Sequence, residues 1–115
     1  MKKIFLNLVI LMFVSLTAFA LQIPPVNGNV TISASGATDR TQMTSLSVSS
    51  CTIQALTTNA GSVYVGGSTV TNSSGTNQGV KLIAGASLGS ITVTNLNMIY
   101  VAADNAGDKV AYVCS

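Results

Sequence analysis

The chain has 115 residues and a formal net charge of +2, but Lys2, Lys3 and all three Phe fall in its first twenty positions. Beyond them Arg40, Lys81 and Lys109 balance Asp39, Asp104 and Asp108, which argues against nucleic-acid binding, because that needs clustered Lys and Arg to displace counterions. The absence of His and Glu argues equally against an enzyme: the common acid–base pairs cannot be assembled, and no motif places Lys81 or Lys109 as the base for a serine nucleophile.

At the N-terminus Lys2-Lys3 precedes the apolar run Ile4 to Leu16, and Ala18-Phe19-Ala20 follows with small residues at both positions that signal peptidase reads. Residues 1–20 therefore read as a secretory signal peptide, with Ala18 and Ala20 marking cleavage after Ala20. The competing reading is an uncleaved anchor, since Ile4 to Leu21 approaches the roughly 20 residues of a membrane span. Asn7, Ser15 and Thr17 interrupt that run, and no cysteine follows it for lipid attachment. Membrane contact is expected only through this segment during export, and the destination is periplasmic or extracellular.

Residues 21–29 form an N-terminal arm in which Pro24-Pro25 favours an extended start and Asn27-Gly28 a turn. A single β domain is expected over 30–115. Val30, Ile32 and Ala34 alternate with Thr31 and Ser33, the period of a half-buried strand. Ser35 to Arg40 reads as a turn and Thr41 to Val48 as extended, after which Cys51, Ile53 and Ala55 alternate with Thr52 and Gln54. Val63 and Val65 share a face opposite Tyr64, and Gly66-Gly67 breaks that strand. Asn72 to Gly79 is a polar loop of the kind where mobility concentrates.

Val80, Leu82 and Ala84 alternate again, Gly85 and Gly89 mark turns, and Ile91 with Val93 makes a further strand. Asn95 and Asn97 frame a turn before the strand reaching Ala102, and Asp104 to Asp108 form another before the last strand, Val110 to Val113. The count is seven to nine short strands at turn spacings typical of a small antiparallel β-sandwich or barrel, so the fold class is all-β. No helical periodicity is evident outside the signal peptide.

Without Trp, and with no Phe beyond position 19, the core must come from aliphatic residues, Met and Ala, and a domain of this size buries a modest share of its surface. Cys51 and Cys114 are the only cysteines, and both lie in the exported part. They are the candidate disulfide, placed by compartment; two buried thiols are the alternative. A bridge closing so long a loop contributes about 4 kcal/mol by chain-entropy reasoning.

The order of parts carries a resemblance. Gln42-Met43 is followed by the strand Cys51 to Ala55, then Asn59 to Gly66 (NAGSVYVG), Gly79 to Gly85 (GVKLIAG), Asn95 to Val101 (NLNMIYV) and Ala106 to Tyr112 (AGDKVAY). Across roughly Arg40 to Cys114 this resembles small β-structured virion proteins of tailed bacteriophages, of the decoration or fibre type. The resemblance implies a non-enzymatic structural or adhesive protein acting by self-association or surface attachment, with itself or other virion or surface proteins as partners and a homo-oligomer as the candidate assembly. A secreted bacterial binding module or fibre subunit is the alternative, in which the segment Leu21 to Ala34 adds as a strand to a neighbouring subunit.

No catalytic, cofactor-binding or metal-binding residue is assigned. Asp104, Asn105 and Asp108 carry oxygen ligands, but their spacing departs from the EF-hand loop and suits a tight turn better. The candidate surface contact is Tyr64 with Gly66 and Gly67. Alternation fixes only relative facing, so Tyr64 either points outward beside the two glycines or covers a second sheet.

Overall fold

Small side chains alternating with Val, Ile and Leu fold into eight strands and one short 3-10 helix. The computed structural model describes residues 24–115; the signal-peptide segment with Ala18 and Ala20, and the arm as far as Ile23, lie outside the described residues. The strands are β1 (Val26–Thr31), β2 (Thr41–Gln42), β3 (Ser50–Ala55), β4 (Val63–Gly66), β5 (Val80–Leu82), β6 (Ser87–Thr92), β7 (Tyr100–Ala103) and β8 (Lys109–Cys114). They form two four-stranded sheets in the orders β1-β8-β3-β6 and β2-β7-β4-β5. Every pairing is antiparallel.

Ile53 and Val110 from the first sheet meet Val63 and Val101 from the second in one aliphatic core, with Ile32, Met43, Leu82, Leu96 and Ile99 closing its ends. The fold is thus a β-sandwich, and its period-two alternation decides which side of each strand is dry. Cys51 and Cys114 stand directly opposite each other on neighbouring strands β3 and β8 and are joined in a buried disulfide, with Cα atoms 4.1 Å apart. The bridge therefore staples two strands of one sheet instead of linking the two layers.

Several elements differ from the sequence expectation. β1 begins at Val26, so Val26 to Asn29 are not arm: they pair with Cys114 to Ala111 of the same chain. Tyr112 faces inward across this pair, and its ring occupies the space that a side chain at Gly28 would need, a Cβ there falling 2.5 Å from the phenol oxygen. The extended stretch Thr41 to Val48 contains only the two-residue β2 and an isolated bridge from Ser47 to Asn95. β5 stops at Leu82, and Ala84 is exposed in the turn rather than in an alternating strand. Gly89 lies within β6 instead of in a turn, where β6 carries one extra residue opposite β3 and the register shifts between Cys51 and Ile53.

The 3-10 helix Leu96–Met98 replaces the plain turn expected between Asn95 and Asn97. The Asn95 side-chain oxygen caps it, accepting from the Asn97 amide at 2.9 Å and also from the Leu46 amide at 3.1 Å. Because Leu96 is buried, this one side chain both ends the β6 connection and anchors the approach to β3. The core-side consequence is that Ile99 and Val101 enter β7 in phase with the opposing sheet.

Candidate functional site

β4 carries Tyr64 on the face of the second sheet turned away from the core. That face is covered: Tyr64 is 3% exposed and packs with Val70, Ala102 and Tyr100 in a small second cluster. Its hydroxyl donates to the Asp104 carboxylate at 3.1 Å. Burial, reinforced by the hydrogen bond to Asp104 and that group's negative charge, raises the phenol above its ordinary value of 10.0. Neither sequence reading holds as stated: Tyr64 turns away from the core and from the other sheet, but Val70 of the following loop packs over it and leaves it buried. Tyr112 lies on the inner side of the other sheet, packed against the main core, so the three tyrosines do not share a platform.

Val70 reaches Tyr64 because the loop after β4 folds back. Its path is fixed by hydrogen bonds to the segment after β1 and to the end of β7: the Arg40 guanidinium donates to Val70 O at 3.3 Å, Thr71 Oγ1 to Ala37 O at 2.6 Å, and Asn72 Nδ2 to both Ser35 O and Ala103 O at 2.8 Å. Gly79 returns the chain to β5 at a φ of +71°, close against Val65 O, a conformation and a clearance that glycine alone meets without strain. Asn72, expected in a free polar loop, is thus an anchor.

The polar residues of the recurring pattern are committed in the same way. The Asp108 carboxylate is buried and accepts from the amides of Ala60 and Gly61 at 2.9 and 3.0 Å. Asn59 pairs with the Lys109 backbone in both directions, donating to its carbonyl and accepting from its amide at 2.8 Å. Gln42 Nε2 donates to Asn97 O at 2.9 Å. Asp104 and Asp108 therefore serve different donors, and among the described residues no three His, Cys, Asp or Glu side chains gather around a common point. The turn that carries the chain from β7 of the second sheet to β8 of the first is a structural lock.

Gly66 and Gly67 lead to what is open. β5 has three residues and β6 six, and no residue of β5 reaches the space beside Leu88 and Ile91 of β6. The result is an apolar groove of about 270 Å³ between the layers, walled by Leu88, Ile91 and Val93 on one side and by Val65, Ile99 and Met98 on the other, with Gly66 and Gly67 at its mouth. Neither glycine has a positive φ. Gly66 instead lets Val70 pack close, its Cβ position lying 3.0 Å from Val70 Cγ2, while nothing lies within 4 Å of one at Gly67. Met98 is 55% exposed at the rim. No charged residue lines this groove.

Sequence reasoning reached the two glycines and missed the groove, because it depends on the mismatch in length between β5 and β6. It placed Asp108 in a tight turn without reading its bonds to the Ala60 and Gly61 amides, and it did not reach the packing of Val70, for which an isolated Val in a Ser/Thr/Asn/Gly stretch was the available signal. No helix among the described residues is long and apolar enough to cross a membrane. No family model matches the chain, and neither a curated protein nor a solved structure does.

Proposed function

We propose that this is an exported, non-enzymatic structural or adhesive protein, resembling the small virion modules of tailed phages, that works by self-association or surface attachment. The observation that carries the reading is how the polar side chains are used. Asn59, Asn72, Asn95, Asp104 and Asp108 are engaged in holding loops to strands, whereas the open surface includes an uncharged apolar groove on a sandwich flank and a shallow, uncharged depression of about 300 Å³ on the outer face of the first sheet, lined by residues including Thr52, Gln54, Ser87, Ala111 and Val113. Such a surface suits contact with another macromolecule better than chemistry on a small substrate. The buried Cys51–Cys114 bridge is consistent with an oxidising, exported location.

The test is size-exclusion chromatography with light scattering on the disulfide-bonded protein, with and without reductant, alongside retention on cell-surface and virion extracts. Assembly or retention that requires the oxidised form is the expected result. Single chains at every concentration with no retention by either extract would sink the proposal.

A further inference from the structure

The two sheets treat their edges differently. In the second sheet the edges are β2, with two residues directly after Asp39-Arg40, and β5, with three residues including the exposed Lys81. Short strands and nearby charges are how sandwich proteins blunt an edge against unwanted pairing. In the first sheet both edges, β1 (VNGNVT) and β6 (SLGSIT), have six residues and neither contains a charge or a proline. Pro24-Pro25 stands just outside β1 and limits any ladder to the strand itself.

Resting on the self-association reading above, we infer that β6 of one chain pairs with β1 of a second copy, head to tail, continuing the first sheet from molecule to molecule. Direction allows it. With four strands all antiparallel in the order β1-β8-β3-β6, β1 and β6 run oppositely, so a copy displaced sideways without being turned over presents its β1 antiparallel to β6.

The side chains also match. Val26 and Val30 pair with the inward-facing Cys114 and Val110, so they lie on the inner face of β1; Val26 is nonetheless 43% exposed among the described residues. Leu88 and Ile91 lie on the inner face of β6 and line the open groove. Because the extra residue of β6 makes Leu88 and Ile91 span only two positions of a partner strand, joining the two edges sets one valine of β1, Val26 or Val30, beside one of them and Gly28 beside the other, and shields all three apolar side chains. The extra residue of β6 opposite Thr52 divides the new ladder into two parts, around Ser87-Leu88 and Ile91-Thr92. A two-fold pairing of β6 with β6 would leave the β1 edge, which no strand covers among the described residues, unpaired, and this favours the head-to-tail arrangement. Such a contact is heterologous and gives open chains or closed rings.

The experiment uses the disulfide-bonded protein recovered from an oxidising compartment after expression of the full chain. Val26→Lys charges the β1 edge; Ser87→Lys with Thr92→Lys charges the β6 edge. All three positions are exposed, so unchanged melting is expected, and Asn29→Lys or Ser90→Lys replaces either variant that melts lower. Light scattering over a concentration series should show wild-type mass rising beyond one chain, while each variant stays at one chain mass.

A one-to-one mixture of the two variants should then form a species of twice the single-chain mass and stop, since only one β6 edge and one β1 edge remain competent. A wild type that stays at one chain mass overturns the inference while leaving surface attachment standing. Variants that assemble like the wild type overturn it and leave self-association to another surface. A β1-edge variant that forms two-chain species by itself overturns it in favour of the two-fold β6 contact.

Discussion

Tyr64 and Asp108 are two of the side chains that do more than fill the core. Tyr64→Phe removes a hydroxyl that donates to Asp104 while keeping the ring against Val70, and should cost about 1 kcal/mol in a denaturant titration. Its pH dependence has a definite sign. Because burial and Asp104 raise the phenol in the folded chain above its unfolded value near 10.0, the neutral form is favoured by folding. That contribution is complete below pH 10 and is lost as the pH climbs from there through the folded value. Melting temperatures from pH 9 upward should fall more steeply in the wild type than in Tyr64→Phe; parallel curves would contradict the assignment. Asp108→Ala should be harsher, about 2 kcal/mol, because the amides of Ala60 and Gly61 lose a buried acceptor. Equal denaturation midpoints for Asp108→Ala and wild type would show that water replaces the carboxylate.

At the level of elements, the strands stand where short-range alternation is strong and depart from expectation where tertiary contacts decide. Cys51, Ile53 and Ala55 read directly as the dry side of β3, and Val63 and Val65 as that of β4. β1 was legible only from Val30 onward, because its first half, Val26 to Asn29, contains the Asn27-Gly28 pair that locally favours a turn; pairing with β8 and the Tyr112 ring over Gly28 override it. β6 was split in the sequence by Gly89, a residue whose position beside Thr52 only the paired strand reveals. The groove was illegible for a similar reason: no local pattern says that β5 ends three residues after it begins. Reducing the β3–β8 bridge, or replacing Cys51 and Cys114 together by Ala, should lower stability by about 4 kcal/mol, read from the guanidinium midpoint. A change under about 1 kcal/mol would mean that β3 and β8 remain paired in the unfolded chain.

For the whole molecule, the disulfide and the β1–β8 register together set how the sandwich bears load. Val26 lies opposite Cys114, so chain entering β1 and chain leaving β8 emerge at the same end of the first sheet. A force applied between them peels β1 away one hydrogen bond at a time, a soft response. The peeling then meets covalent bonds, because tension arriving through Cys114 passes directly to Cys51 and bypasses the chain between, a sequence separation of 63. At up to ~3.6 Å per residue, roughly 220 Å of contour stays hidden from the pulling device until the bridge is reduced. Single-molecule extension should show a short, low-force lengthening in oxidising buffer and the missing length only after reductant. In mechanical terms the bridge is a built-in stop: the chain gives over the Val26 to Cys51 stretch, up to ~90 Å of contour at ~3.6 Å per residue, and is inextensible thereafter.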